Sequence, residues 1–284
     1  MTLIWDARIV GSLFKYKCHP ELDSGSKSLS NKSAFTLAEV LITLGIIGVV
    51  AAMTIPNLIA NVRAHQNRSA FKKGLSTINQ AVRLNEANYG YNFASVYQNC
   101  SSYGKGHPET EWSVCSIFNG SLSGYTVSDD TYLYSKRSKN LLYYKDLFYT
   151  SPTPDTLLKE VGTYLYYYQM NDGMMIGFHD IGGPLTSGWQ HEAKCTLDGT
   201  TLEQAIKDSQ FQKFCIGFID VNGPSLPNRE VRCSDGKSHS VDITASCTVP
   251  NSVNYMGDVI PVVFYDSTVA AGSAAARYVL STSK

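Results

Sequence analysis

The longest apolar stretch in the chain runs from Phe35 to Ala60 and contains a single charged residue, Glu39. From Val40 to Ile55, sixteen consecutive positions carry no charge. Together with the residues just before it, this segment reaches the roughly 20 residues that a helix needs to cross a bilayer. The pattern therefore predicts a membrane-spanning helix over residues 35–56.

The helical pattern continues beyond Pro56 into residues 57–90. Apolar residues recur there at spacings of three and four, and they include Phe71, Leu75, Ile78 and Val82. Basic and amide residues lie between them, so we expect an amphipathic continuation of the same helix that packs one face on a folded domain. Pro56 has no backbone N–H and is expected to kink the helix where the two halves meet.

The rest of the chain changes character near residue 160. Residues 91–160 show weak periodicity and predict a long connecting region, whereas residues 161–284 carry strand patterns. The predicted strands are 163–170, 174–178, 214–221 and 259–265. The first two flank Asn171-Asp172-Gly173, which is a hairpin signal.

Two smaller signals refine this region. Pro261 cannot donate a backbone hydrogen bond, so we expect that the last strand lies at an edge of the sheet or that its start is delayed. Thr200 and Glu203 have capping-box spacing and predict a short helix over 201–209. The expected fold class is α+β, with a long N-terminal helix packed on a small antiparallel sheet.

Charge and motif content exclude several functions. The formal net charge is zero and only 17% of the residues are charged, so no basic surface is expected for a nucleic acid partner. No phosphate-binding loop, nucleophile elbow or zinc-protease helix motif occurs. The Cys and His spacings match no zinc pattern. We therefore expect no enzyme activity, no metal site and no cofactor.

The seven cysteines divide around the apolar stretch. Cys18 precedes it, and six follow: Cys100, Cys115, Cys195, Cys215, Cys233 and Cys247. If the segment with Cys18 is removed or stays cytosolic, six remain outside and can form three disulfides. Six cysteines allow fifteen connectivities, and neighbours along the chain meet most easily. We therefore predict the pairs Cys100–Cys115, Cys195–Cys215 and Cys233–Cys247.

The residues at the start of the apolar stretch read Lys32-Ser33-Ala34-Phe35-Thr36-Leu37-Ala38-Glu39-Val40. This segment resembles the prepilin cleavage and methylation motif of type IV pilins and type II secretion pseudopilins. The resemblance implies that residues 1–34 are a leader, cut by a prepilin peptidase between Ala34 and Phe35, with N-methylation of Phe35. Most family members have Gly before the cut, and Ala34 departs from that pattern.

Counted from Phe35, Glu39 is the fifth mature residue and Pro56 the twenty-second, a position where many pilins also carry Pro. The resemblance implies a filament subunit, held in the inner membrane by one span, with its globular domain outside the cytoplasm. Its implied partners are prepilin peptidase, other pilin or pseudopilin subunits and membrane lipid. The long middle region and three possible disulfides favour a minor subunit.

Glu39 has two interpretations. Thr36 and Glu39 form a capping-box pair at the helix start, and a carboxylate there also suits the helix dipole. The functional interpretation is that Glu39 pairs with the N-terminal ammonium of a neighbouring subunit and sets the head-to-tail register of the filament.

Alternative interpretations use the same residues. An ordinary signal peptidase could cut after Val50-Ala51-Ala52, although Glu39 and the uninterrupted helical pattern argue against this. An uncleaved anchor would carry the same domain. Either route would deliver an extracytoplasmic adhesin or binding module, for which Tyr-rich loops are suited.

A second, weaker resemblance to pseudopilins lies in Asp220-Val221-Asn222-Gly223 and in the strand that begins near Asp258. Some pseudopilins bind calcium near such a turn. The remaining ligands of an EF-type set are missing here, so we expect a plain turn.

Overall fold

The computed structural model describes residues 35–98, 100, 106–129, 165–179, 195–208, 210, 213–223, 225, 228–240 and 242–282. The predictions for the leader, Cys18 and Ala34 lie outside these residues. The chain divides into two compact units, Met1–Val50 and Ala51–Lys284. Helix α1 begins in the first unit and ends in the second.

Helix α1 spans Leu37–Tyr89, 53 residues, with Pro56 inside it. In the first unit, every described residue is exposed. In the second unit, one face becomes buried from Ala64 onward, through Phe71, Leu75, Ile78 and Val82. The predicted long helix with an amphipathic second half is confirmed. Gly90 follows the helix at φ 77°, the left-handed conformation that glycine adopts without strain.

In the part of the chain that the structure describes, six antiparallel strands form one sheet in sequence order. They are β1 (Tyr125–Asp129), β2 (Leu165–Met170), β3 (Met175–His179), β4 (Cys215–Asp220), β5 (Val259–Tyr265) and β6 (Thr268–Ala271). The predicted antiparallel sheet and α+β class are confirmed. Strands β2 and β3 are joined through Asn171-Asp172-Gly173, where Gly173 has φ 89°.

The connecting region contains more structure than its sequence pattern indicated. A 3-10 helix (Phe93–Ser95), helix α2 (Val114–Ser121) and strand β1 all lie between residues 91 and 160. Ser113 caps α2 in a capping box with Ser116, a pair of short side chains that is less conspicuous in sequence than Ser or Thr with Glu. Short elements of this kind depend on tertiary contacts more than on periodicity.

The expectation that Pro261 places this strand at an edge or delays its start is wrong, because β5 begins at Val259, two residues before Pro261. Strand β5 lies between β4 and β6, and Pro261 is opposite Phe218 of β4. The Pro261 carbonyl accepts a hydrogen bond from Gly272 N–H, just beyond the end of β6. Because the N–H and C=O of one strand residue point to the same side, the missing donor faces the end of β6 rather than the β4 ladder.

The short predicted helix forms as α3 (Leu202–Lys207), but its cap is Thr201 rather than Thr200. The Thr201 hydroxyl accepts from the Gln204 N–H at 3.2 Å, whereas the Thr200 hydroxyl donates back to the Leu197 carbonyl at 2.6 Å. The hydroxyl of Thr200 is used within the preceding turn, so Thr201 is the residue that caps the helix. The last helix, α4 (Ala274–Ser281), is capped by Ser273.

Both faces of the sheet are buried, so its strands alternate between two cores. One core packs α1 and α2 against alternate strand residues, with a cluster of rings at Phe93, Phe118, Tyr168, Phe178 and Phe264. The other core places α3 on the opposite face, where Leu202 and Ile206 meet Phe218 and Val263. The second half of α1 is therefore an integral layer of the folded domain.

Candidate functional site

The start of α1 is a capping box built from Thr36 and Glu39. Glu39 Oε2 accepts the Thr36 backbone N–H at 2.8 Å and the Thr36 hydroxyl at 3.0 Å. In return, Thr36 Oγ1 accepts the Glu39 N–H at 3.2 Å. These bonds satisfy backbone donors that every helix N-terminus leaves without an intrahelical partner. The first of the two roles predicted for Glu39 is therefore present in the fold.

The surface that follows Glu39 is apolar on every side. Its large side chains are largely exposed, with Leu41 at 62%, Ile42 at 63% and Ile47 at 62%. An 18-residue window of α1 has a mean hydropathy of 2.2, with no residue buried in the folded chain. A helix this long and this apolar can cross a membrane by length and composition.

Glu39 is the only charged side chain from Phe35 to Val62. Its Oε2 accepts hydrogen bonds from Thr36, and no hydrogen bond to Oε1 occurs among the described residues. A carboxylate placed on an otherwise apolar helix is costly to move into lipid, and a cation beside it lowers that cost.

The other predicted residues of the motif lie before Glu39, at Ala34 and Phe35, and after it, at Pro56. Phe35 precedes α1 and is 85% exposed, so its ring and backbone are accessible. Ala34 is not among the described residues. Pro56 lies within the helix, which runs through it. The structure thus places Phe35 and Thr36 immediately before the first turn of α1, which contains Glu39.

Three disulfides hold the domain in the second unit: Cys100–Cys115, Cys195–Cys215 and Cys233–Cys247. These are the three predicted pairs. Their Cα–Cα distances are 5.4, 5.1 and 5.3 Å, within the range that a disulfide spans. Such bonds persist in oxidising compartments. The first bond joins a loop to α2, and the second joins a loop to β4. The third joins two loop residues.

The turn after β4 is held by hydrogen bonds within the chain. Asp220 Oδ1 accepts the Asn222 N–H at 3.2 Å, and Gly223 follows at φ 63°. The Asp258 carboxylate accepts the N–H groups of Asn228 and Arg229 at 2.9 and 2.6 Å. Burial raises the pKa of Asp258 above its usual value. These contacts build the predicted turn from backbone donors.

One group of metal-ligating side chains lies close together in the described part of the chain: Cys233, Asp235 and His239. The Cys233 sulfur is bonded to Cys247, so it offers no thiolate to a metal. Asp235 Oδ2 instead pairs with His239 Nε2 at 2.7 Å. The Lys237 N–H and His239 both lower the pKa of Asp235.

Contacts between α1 and the sheet were not apparent in the sequence. Lys73 Nζ lies 2.7 Å from Asp172 Oδ2 in the β2–β3 turn, and Lys73 lowers the pKa of that carboxyl. Asn79 joins α1 to the backbone of β6. Gly74 lets α1 approach closely, because a Cβ there would lie 2.7 Å from Met174 Sδ. The amphipathic pattern shows that a face packs, but it does not show against which strand.

A family model for the prokaryotic N-terminal methylation motif matches residues 29–55. This motif is the type IV pilin and pseudopilin signature, and the matched segment contains Phe35, Thr36 and Glu39. No curated protein and no solved structure matches the chain.

Proposed function

We propose that the chain is the precursor of a structural subunit, rather than an enzyme, of a helical membrane-anchored filament of the type IV pilus or type II secretion kind. The observation that carries the proposal is the coincidence of three features at one place. The match to the methylation motif covers residues 29–55, and within it lie both the start of a membrane-compatible helix at Leu37 and the only carboxylate of the apolar segment, Glu39.

The first step is processing of the N-terminus. A prepilin peptidase cuts between Ala34 and Phe35 and methylates the new amine of Phe35. The exposed position of Phe35, immediately before the first helical turn, supports access to this bond. The mature chain then begins with an ammonium group four residues before Glu39.

The second step is assembly. Glu39 of one subunit binds the Phe35 ammonium of the next, so that each subunit is placed in register with its neighbour in a head-to-tail contact that does not close. Thr36 supports this step by fixing the Glu39 side chain through Oε2. The carboxylate is thus held in place before a neighbour arrives.

Before assembly, α1 anchors the subunit in the inner membrane with one span and the domain lies outside the cytoplasm. The three disulfides support this orientation, because thiol-reducing systems keep cytosolic cysteines free. The long region between α1 and β2 and the three disulfides support a minor rather than a major subunit.

An anchored adhesin or binding module is the second candidate. An exposed aromatic pair favours it: Tyr97 is 62% and Trp112 is 39% exposed. Trp112 stacks on the buried ring of Tyr91 at 5.1 Å, and Tyr97 packs across Trp112 at 5.7 Å. Rigid aromatic side chains suit recognition surfaces, and a minor subunit at a filament tip can carry one.

The mass and N-terminal sequence of the protein isolated from membranes test the proposal. We expect a mature chain that begins with N-methylated Phe35. A chain that begins at Met53 indicates an ordinary signal peptidase and contradicts the filament subunit. A chain that still contains residues before Phe35 favours the uncleaved anchor. The variant Ala34→Gly serves as a matched reference, because it restores the usual residue before the cut and should be processed at least as fast.

A further inference from the structure

We propose that a polar cleft beside Arg63, at the point where α1 leaves the apolar segment, binds the phosphate headgroup of an anionic phospholipid. This inference rests on the membrane anchoring in the proposed function. The cleft has a volume of about 310 Å³ and lies between α1 and the loop before β5. Its walls include Arg63, Gln66, Asn67, Ser252, Val253 and Asp258.

The position along α1 places this cleft at the headgroups. Twenty residues from Leu37 to Pro56 rise about 30 Å, the thickness of the hydrocarbon core. Arg63 follows Pro56 by seven residues, or about 10 Å, and the polar headgroup layer adds roughly 5–8 Å on each side. Helical side chains lean toward the N-terminus, so the long Arg63 side chain reaches back toward the phosphates.

The surface below the cleft is continuous with the apolar segment. Leu58, Ile59 and Val62 are 63%, 46% and 47% exposed, although they lie in the folded unit of the chain. On the opposite wall, Val253 is 48% exposed. Exposed apolar side chains near a polar cleft suit contact with the boundary between the headgroups and the acyl chains of a lipid.

The charges near the cleft favour an anion. No Asp or Glu occurs in α1 between Glu39 and Glu86, and Arg63 is the first charged residue after Glu39. Gln66, Asn67 and Ser252 add amide and hydroxyl donors. Asn67 Nδ2 also donates to the Gly257 carbonyl at 3.2 Å, which fixes the loop against the helix. A second link joins Asn251 Nδ2 to Asn61 Oδ1 at 2.9 Å.

Among the described residues, Asp258 is the one carboxylate that lines the cleft, and backbone N–H dipoles partly compensate its negative charge. Both of its oxygens accept backbone N–H groups, from Asn228 and Arg229. Burial raises the pKa of Asp258 above its usual value, whereas these two backbone hydrogen bonds act in the opposite direction. Arg63 is exposed and lines the cleft, so its guanidinium is accessible to a phosphate. Arg is the side chain best matched to phosphate oxygens.

Retention of lipid by the full-length chain tests this assignment. The protein is purified in mild detergent with phosphatidylglycerol or phosphatidylcholine, and bound lipids are counted by native mass spectrometry. The variants are Arg63→Gln and the matched control Arg83→Gln, an exposed arginine 20 residues further along the same helix, about 30 Å away. We expect the wild type and Arg83→Gln to retain phosphatidylglycerol preferentially. Arg63→Gln should lower that retention about five-fold, the effect of one cation at an anionic membrane surface.

Three results overturn the assignment: equal retention by Arg63→Gln and wild type, equal retention of the two lipids, or displacement of the lipid by millimolar inorganic phosphate. The last result identifies a site for free anions instead of a lipid. Alkaline carbonate extraction of membranes that contain the wild-type chain tests the membrane anchor separately from the headgroup site. If the wild-type chain is extracted, the membrane anchor itself is wrong; if it stays in the membrane, only the headgroup site is in question.

Discussion

The side-chain amide of Asn79 on α1 occupies the outward backbone groups of Val269 on the edge strand β6. Asn79 Oδ1 accepts the Val269 N–H at 2.9 Å, and Nδ2 donates to the Val269 carbonyl at 3.0 Å. Nδ2 also donates to the Leu75 carbonyl at 2.8 Å within α1. The Asn79 amide therefore pairs the backbone N–H and C=O of an edge-strand residue, as a neighbouring strand would. The same two bonds attach the helix to the sheet.

Replacement of Asn79 by Leu should destabilise the domain by about 1–3 kcal/mol, because a buried N–H and carbonyl of Val269 lose their partners. Urea unfolding of the full chain in detergent, followed by circular dichroism, measures this change. Gln80→Leu is the matched control, since Gln80 is exposed and its amide bonds only to Ser76 Oγ at 2.9 Å. Equal stability of the two variants would mean that the Asn79 contact contributes little.

Replacement of Glu39 by Val should block filament entry while membrane insertion and domain folding persist. The substitution makes the segment more apolar, so its insertion into the membrane is not weakened. The neighbour's ammonium, however, loses its partner in an apolar environment. The fraction of subunit recovered in sheared filaments measures assembly, and carbonate extraction measures insertion.

Thr36→Val distinguishes the two roles of Glu39. This variant removes the hydroxyl from the capping box but keeps the carboxylate. We expect it to assemble far better than Glu39→Val, provided that its N-terminus is processed normally. If both variants assemble equally poorly, the cap rather than the charge pair is the reason.

Loss of the Cys195–Cys215 bond should lower the free energy of unfolding by about 3 kcal/mol, the value of the chain-entropy model for a loop of this size. The bond closes a separation of 20 residues and ties the start of β4 to the loop before α3. The double variant Cys195→Ser, Cys215→Ser is compared with wild type by urea unfolding. Non-reducing peptide mapping of the wild type should recover the three local pairs, and a peptide that joins Cys100 to Cys247 would contradict them.

The contribution of Asp258 to stability should decrease as the pH rises. Its folded-state pKa lies above the ordinary value of 3.8 because the carboxyl is buried. The folded state therefore holds the proton more tightly than the unfolded chain does. The resulting stabilisation of the folded state is complete below pH 3.8, and it is lost as the pH rises through the folded-state pKa. The difference in unfolding free energy between wild type and Asp258→Asn should thus decrease between pH 3 and pH 7. A difference that grows with pH would reverse the assigned direction.

The sequence alone determined the features that depend on local periodicity or on a contiguous motif. Helix α1 was predictable because apolar spacing over more than fifty residues is a strong signal. The Thr36–Glu39 cap was predictable because its partners are three residues apart. The disulfide pairs were predictable because short loops close at the lowest entropic cost.

Only the tertiary structure decided which elements meet. Pro261 is tolerated in an inner strand because its missing donor faces the end of β6, a fact that depends on where the neighbouring strand stops. Asn79 contacts Val269 across 190 residues of chain, and the cleft beside Arg63 is closed by a loop equally distant in sequence. Local patterns show that a surface is apolar or polar, but they contain no information on its partner. That choice follows from how the whole chain packs.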